Sequence, residues 1–275
     1  MTGPFFSLNG KLSPLAEATV PWDDLAFAYG FGVYETLKVR HGLVYFPEMH
    51  EERLWHSART IGLEHPFHPG DFGGYINALV EANTLADANL KALLVGGPKV
   101  ADARLVIIAL NPLFPDRKDY KHGATAITWD GERVYPQAKT LNMLVSYLAY
   151  RKAQKQGAYD ALLVNRVGEI TEGTRTNFFV VEGDSLVTAP AEQVLEGVTQ
   201  LTVRQVVKQL GIPLVERPLP LSERGRWEGA FLTSTSTKIM PLRRIDDAPI
   251  PLNPLIDSLR VAYDHWLDAY ARGRL

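Results

Sequence analysis

The chain has 275 residues, 46% of them hydrophobic, with 29 Lys and Arg against 31 Asp and Glu and no cysteine. That length is enough for one large domain or two modest ones; the balanced charge, without a basic run, argues against a nucleic-acid partner. The missing cysteine excludes disulfides, thiolate zinc sites and cysteine nucleophiles. The opening residues Met1-Thr2-Gly3-Pro4-Phe5-Phe6 lack the charged-then-apolar layout of a signal peptide, and no apolar run is long enough to span a bilayer. A cytoplasmic protein with no membrane partner is expected.

Along the chain, residues 35–46 (ETLKVRHGLVYF) predict a hairpin turning at His41-Gly42. Pro47 opens a predicted helix to Ile61, stopped by Gly62, with Leu54, Ala58 and Ile61 on one face. Residues 71–85 predict a second helix, and 92–95 and 104–110 are short apolar runs of strand type. Residues 111–123 (NPLFPDRKDYKHG) carry two prolines, many charges and no period, and read as a linker region. This divides the chain into a domain over 1–115, a linker over 116–123 and a second domain over 124–275.

The second half opens with a strand over 124–129 and a helix over 141–156, which ends before Gly157. Strands at 161–164 and 169–171 flank the turn Asn165-Arg166-Val167-Gly168. Strands at 177–181 and 185–188 flank Glu182-Gly183-Asp184. A helix over 199–210 stops at Gly211, a strand follows at 230–233, and a C-terminal helix over 255–270 turns Leu255, Leu259, Ala262 and Trp266 inward. Strands and helices mix without regular βαβ alternation, so the expected class is α+β (mixed α/β), not a doubly wound sheet.

Four segments carry chemistry. Lys139 precedes the 141–156 helix, and a lysine held at a helix start can condense with an aldehyde. Glu172, in Ile170-Thr171-Glu172-Gly173-Thr174-Arg175-Thr176-Asn177-Phe178, is a carboxylate at a strand end that can hold a proton on a pyridine nitrogen. In Leu195-Glu196-Gly197-Val198-Thr199, Gly197 permits close backbone approach, and the amides of Val198 and Thr199 can hold a phosphate at a helix N-terminus. Thr233-Ser234-Thr235-Ser236-Thr237 can line a polar pocket floor. Taken singly each has a plainer reading: a helix cap, a hydroxyl-rich turn, a solvated lysine, a turn carboxylate. Arg53, one position off the apolar stripe of its helix, reads alone as a surface arginine. Aldehyde, pyridine and phosphate together describe pyridoxal phosphate.

In order and spacing these segments resemble the class IV pyridoxal-phosphate aminotransferases, a family of D-amino-acid, branched-chain and (R)-amine aminotransferases plus aminodeoxychorismate lyase. The resemblance starts at Phe31-Gly32-Val33-Tyr34-Glu35-Thr36-Leu37. It runs through His50-Glu51-Glu52-Arg53-Leu54, Lys139-Thr140-Leu141-Asn142, the Glu172 and Gly197 segments and Phe231-Leu232-Thr233-Ser234-Thr235. It implies a fold type IV architecture of two domains with the cofactor between them, in a homodimer. It implies that Lys139 joins the cofactor aldehyde and Glu172 partners the pyridine nitrogen. Arg53, the Val198 and Thr199 amides and Thr235 would form the phosphate cup, with Leu195 packed on the ring. The expected activity moves an amino group from an amino acid to a 2-oxo acid, D-amino acids favoured. The alternatives are a branched-chain L-amino-acid aminotransferase, aminodeoxychorismate lyase, an (R)-amine transaminase, or a non-catalytic binding protein that kept the fold.

Some positions depart from the family pattern. Where D-amino-acid enzymes carry a carboxylate-clamping arginine in Thr-Arg-Gly, this chain reads Leu93-Leu94-Val95-Gly96-Gly97. Gln200 stands where arginine is frequent, and Lys238 where an acid or alanine-like residue is usual. The candidates for substrate binding are therefore Lys238, Arg40 and Lys99, with Ser236, Thr237 and Tyr34. Other chemistries find less support. His50, His56, His65 and His68 form no His-Glu-x-x-His, so no metal is expected. Gly30-Phe31-Gly32 lacks the third glycine of a dinucleotide motif, and no Gly-x-Ser-x-Gly occurs.

Overall fold

The computed structural model describes residues 1–112 and 114–274. They form two compact units, residues 1–112 with Ala138–Asn142, and Phe114–Gln137 with Met143–Arg274. No helix among the described residues is long and apolar enough to cross a membrane.

The first unit contains β1 (Phe5–Leu8), β2 (Lys11–Pro14), α1 (Leu25–Ala28), β3 (Gly32–Arg40), β4 (Leu43–Val44), α2 (Pro47–Thr60), α3 (Asp71–Ala82), β5 (Ala88–Val95) and β6 (Arg104–Leu110). Its six-stranded sheet has the order β2-β1-β6-β5-β3-β4, antiparallel throughout. Alternation decides which face is buried. On β3, Val33, Glu35, Leu37 and Val39 are buried, and Tyr34, Thr36, Lys38 and Arg40 lie on the opposite, partly open face. Leu90, Ala92 and Leu94 of β5 and Leu105 and Ile107 of β6 join the buried face. There they pack with Leu54, Trp55 and Ala58 of α2 and Phe72, Ile76 and Leu79 of α3. Each fully buried Leu, Ile or Phe contributes roughly 1.5–3 kcal/mol relative to exposure.

The predicted hairpin forms, with φ of 50° at His41 and 77° at Gly42, the double left-handed pattern of a two-residue turn that matches strand twist. The second helix stops at Ala82, short of the expected 85. Thr84 takes a positive φ, and the Asn83 side chain bonds the backbone N–H and carbonyl of Phe5 at 3.0 Å each.

The largest difference from expectation lies at Lys139. The sequence places it just before a helix; instead its segment runs along β3. Thr140 bridges Val33, the Tyr34 N–H donates to the Lys139 carbonyl (2.8 Å) and the Leu141 N–H to the Gly32 carbonyl (2.9 Å). These bonds occupy backbone groups that a helical turn would use, so the following helix starts at Leu144 rather than 141. Gly32 is required by this approach: a Cβ there would lie 2.7 Å from both Leu141 Cδ1 and the Leu94 carbonyl oxygen.

The second unit contains α4 (Arg117–His122), β7 (Ala124–Asp130), α5 (Leu144–Lys155), β8 (Asp160–Val164), β9 (Ile170–Gly173), β10 (Asn177–Glu182), β11 (Ser185–Thr188), α6 (Val198–Gln209), β12 (Leu214–Glu216), β13 (Gly229–Ser234), β14 (Lys238–Ile245), β15 (Ala248–Pro249) and α7 (Pro254–Arg272). Its nine-stranded sheet runs β12-β11-β10-β13-β14-β7-β8-β9, with β15 on β14. An added pairing of Asn177 with Glu172 joins β9 to β10 and closes β10, β13, β14, β7, β8 and β9 into a ring. Leu162, Ile170, Phe178, Val180, Leu232, Met240 and Leu242 belong to its main core.

Two expectations change here. The 111–123 stretch, whose Leu113 lies outside the described residues, holds the short helix α4. Asp116 caps it by accepting from the Lys118 N–H at 3.0 Å. The C-terminal helix buries Ile256, Leu259, Tyr263 and Leu267, so of Leu255, Leu259, Ala262 and Trp266 only Leu259 is fully buried. Tyr263 takes the inner place because its hydroxyl meets Thr202 Oγ1 at 3.0 Å. Trp266 instead stacks beside Tyr263 and Tyr270.

Candidate active site

In the first unit, Lys139 is pinned by its backbone. Its N–H donates to Ser57 Oγ of α2 (3.0 Å) while its carbonyl accepts from Tyr34. Its amine then lies 4.7 Å from the centre of the Tyr34 ring. Tyr34 thus sits beside the lysine.

Beneath the sheet lies a buried charge cluster. Glu35, fully buried, accepts from Arg53 Nε (2.6 Å) and Nη2 (2.7 Å) and meets His50 Nδ1 at 2.7 Å. Burial alone would raise the Glu35 pKa. Arg53 and then His50 outweigh it and hold the carboxyl far below the usual carboxylate range. For His50 the balance goes the other way: burial outweighs the attraction of Glu35, and the nearby Arg53 and Lys139 charges add to the lowering. Arg53, expected in the phosphate cup, therefore has the plane of its guanidinium set by a bidentate carboxylate. The sequence reading named Arg53 but not Glu35 or His50. The signal was present as an acidic residue at an inward position of an apolar strand, and a histidine three residues before the arginine on one helix.

Arg40 and Lys99 are not brought to Lys139 by any contact in this unit. Arg40 lies six residues beyond Tyr34 on β3, about 20 Å at strand rise, and pairs with Asp87 at 3.3 Å. Lys99 is exposed, with its backbone N–H on Asp102 Oδ2 (3.1 Å).

In the second unit, Glu172 ends β9 and is 4% exposed. Arg133 Nη1 lies 3.4 Å from its Oε1, and the Leu195 N–H donates to its Oε2 at 3.3 Å. Leu195 is buried, and its carbonyl accepts from Asn177 Nδ2 at 2.7 Å. Asn177 also explains Gly197, where a Cβ would fall 2.1 Å from Asn177 Oδ1. Gly197 is the N-cap of α6, and its own N–H donates to Gln200 Oε1 at 3.2 Å. Gln200, the departure noted in the sequence, is thus the third residue of a capping arrangement. The amides of Val198 and Thr199 open the helix, where no intrahelical acceptor exists for them.

Behind Glu172 the turn at Thr174-Arg175-Thr176 is organised by Asp160, fully buried on β8. Both threonine hydroxyls donate to it, Thr176 Oγ1 at 2.9 Å, and the Ala161 N–H adds a third bond at 2.8 Å. Burial raises the Asp160 pKa, and these hydrogen bonds only partly offset that. Arg133 and Asp160 were not singled out in the sequence; neither stands in a motif that marks it.

The hydroxyl segment is the turn between β13 and β14. Ser234 Oγ meets Thr237 Oγ1 at 2.7 Å, and Tyr120 donates from its hydroxyl to the Thr237 carbonyl at 2.8 Å. Thr235 and Ser236 are half-buried within it. Lys238 follows in a left-handed conformation (φ 57°), and its Nζ sits 2.5 Å from Asp264 Oδ1 of α7.

Taken unit by unit, these groups have the chemistry that a phosphate-bearing pyridine aldehyde calls for. Gly197 has no room for a side chain, and the Val198 and Thr199 amides that follow it lack intrahelical acceptors, an arrangement suited to an anion. Glu172 is a buried carboxylate beside one guanidinium, and Lys139 offers an amine on a fixed backbone.

Comparison with known proteins agrees with this chemistry. The sequence model described as Amino-transferase class IV matches residues 32–245. A D-alanine aminotransferase of Bacillus licheniformis is 28% identical over 251 residues, 88% of each chain. A Methanocaldococcus jannaschii protein, provisionally named a branched-chain-amino-acid aminotransferase, is 30% identical over 257 residues, 87% of each. The crystal structure of a branched-chain aminotransferase from Thermoproteus uzoniensis with norvaline superposes with a TM-score of 0.87 at 27% identity, covering 95% of this chain and 94% of that one. The matched span holds Lys139, Glu172 and Gly197 in the settings described, and the chain is an aminotransferase of the class IV family.

Proposed function

We propose that this enzyme uses pyridoxal 5′-phosphate to move an amino group from an amino acid to a 2-oxo acid, D-amino acids favoured, as a cytoplasmic homodimer. The observation that carries the reading is Lys139, whose backbone is held by Ser57 and Tyr34 and whose amine stands over the Tyr34 ring. When bound, the cofactor supplies an aldehyde that accepts the amino group and a ring that spreads the charge left by a departing α-proton. Lys139 would hold the cofactor through its aldehyde, and its Nζ is the base that would take the substrate's α-proton and return it. Glu172, with Arg133 Nη1 3.4 Å from its Oε1, would partner the ring nitrogen. Leu195 would pack on the ring. The Val198 and Thr199 amides, Arg53 and Thr235 would hold the phosphate, and Glu35 keeps the Arg53 guanidinium oriented.

The D-amino-acid preference is supported by the Lys139-Thr140-Leu141-Asn142 form and by relatives named D-alanine aminotransferase. A second reading, branched-chain L-amino acids, is favoured by Leu93. It lies directly opposite Tyr34 on β5 and offers an apolar wall. Mixing cofactor-loaded enzyme with single D- and L-amino acids and following the cofactor spectrum decides between them. Faster conversion of D-alanine supports the first reading, and faster conversion of L-leucine replaces it with the second. Lys139→Ala is expected to reduce turnover by at least about 10³-fold. Retained turnover would remove Lys139 from the mechanism. Light scattering of the holoenzyme checks the dimer.

A further inference from the structure

We propose that Lys91 is the cation that holds the carboxylate on the substrate's amine-bearing carbon, and that it replaces the arginine missing from this strand. This rests on the transaminase reading above and names the group that would give it amino-acid selectivity.

Lys91 stands in the middle of β5, paired with Thr36 of β3 on one side and Ile108 of β6 on the other. Its neighbours Leu90 and Ala92 face the core, so it lies on the sheet face that carries Tyr34. Its Nζ is 5.5 Å from the centre of the Tyr34 ring, and the Lys139 amine is 4.7 Å from the same centre. One aromatic ring therefore touches both ammonium groups, and their separation is no greater than the sum of those distances. An amino acid carries its amine and its carboxylate on one carbon. A substrate whose nitrogen is delivered at Lys139 places its carboxylate one carbon further on, towards a second cation beside the ring.

Lys91 suits that role better than the cations named from sequence. Lys238 is already committed to Asp264, Arg40 to Asp87, and Lys99 is exposed. Lys91 is half-buried and has no carboxylate partner among the described residues; its counterpart there is the aromatic face alone. Burial pulls its pKa below the ordinary lysine range, the sign of a cation that lacks an anion. A substrate carboxylate would supply one through a charge-assisted hydrogen bond.

The test compares cofactor-loaded wild type with Lys91→Met, Lys91→Arg and Lys238→Ala, using D- and L-alanine, D- and L-glutamate and the corresponding alaninamides. Lys91→Met is expected to raise the KM for alanine about 10- to 100-fold, with a smaller change in kcat. The KM for alaninamide, which has no carboxylate, stays put, and Lys91→Arg recovers most of the loss. An equal effect on alanine and alaninamide, or a rise confined to glutamate, overturns the assignment. So does a rise in Lys238→Ala that Lys91→Met does not share. If Lys91→Met fails to take up cofactor, the wild-type KM for pyruvate from neutral to alkaline pH decides. It should rise as Lys91 deprotonates, and a flat profile refutes the role. Wild type that transaminates nothing defeats the functional reading and this proposal with it. Active wild type matched by Lys91→Met defeats this proposal alone.

Discussion

Glu35 in the first unit and Asp160 in the second are both completely buried carboxylates, and their environments push them in opposite directions. Glu35 faces the charged Arg53 fork and the His50 ring nitrogen. Asp160 accepts from two threonine hydroxyls and one backbone N–H; the Arg175 charge also lowers its pKa, but without an ion pair among the described residues it does not outweigh burial. Both are well hydrogen-bonded, yet only Glu35 is held below the usual range. Neutral donors satisfy geometry, whereas a facing charge is what offsets the loss of water around an anion. The two groups accordingly do different work. Glu35 orients the Arg53 guanidinium; Asp160 shapes the turn that follows Glu172.

The largest effect expected from breaking this contrast is Glu35→Gln. It leaves Arg53 nearly buried without its counter-charge, and such losses run to roughly 3–5 kcal/mol. Denaturant unfolding should show it, and a loss below about 1 kcal/mol would mean the pair contributes little.

Next comes the pH dependence. The folded pKa of Glu35 is depressed, so its contribution is complete above the unfolded carboxyl value of about 4.3 and is lost as pH falls towards the folded value. His50 is depressed too, so its contribution is present above about 6.5 and fades below it. Asp160 is raised, so its contribution is present below about 3.9 and is lost as pH rises through its folded pKa. Thermal melts from pH 7 to 3 should therefore show a shallower acid loss below about pH 4.3 in Glu35→Gln than in wild type, and a steeper overall loss in Asp160→Asn. Parallel curves for all three would erase the distinction.

The smallest effect is Asp160→Asn at neutral pH, about 1 kcal/mol or less in either direction. The shape is kept, and threonine hydroxyls accept as readily as they donate. A loss above about 3 kcal/mol in denaturant unfolding would show that the charge, through Arg175, matters more than the hydroxyl bonds.

Legibility in the sequence followed the range of each interaction. The hairpin at His41-Gly42 and the helix from Pro47 were readable because turn chemistry and apolar period act over a few neighbours. The short helix α4 was not, since its charged residues show no stripe and its cap is a lone aspartate. Of the candidate site, Lys139, Glu172 and Gly197 stood out through motif order. Arg133, Asp160 and Lys91 did not, because nothing adjacent in the chain distinguishes them from ordinary charged residues, and Glu35 carried only the signal of an acid at an inward position of an apolar strand.

By itself the sequence determined the kinds of element, most of their centres and the order of the chemical groups, since these depend on local propensity, periodicity and spacing. Only the tertiary structure decided that Lys139 lies against β3 rather than at a helix start, that Glu35 meets Arg53, that Tyr263 rather than Trp266 turns inward, and that Lys91 shares a ring with Lys139. Each of these is settled by a partner distant in sequence, through a strand pairing or a buried contact whose energy no local window of residues contains.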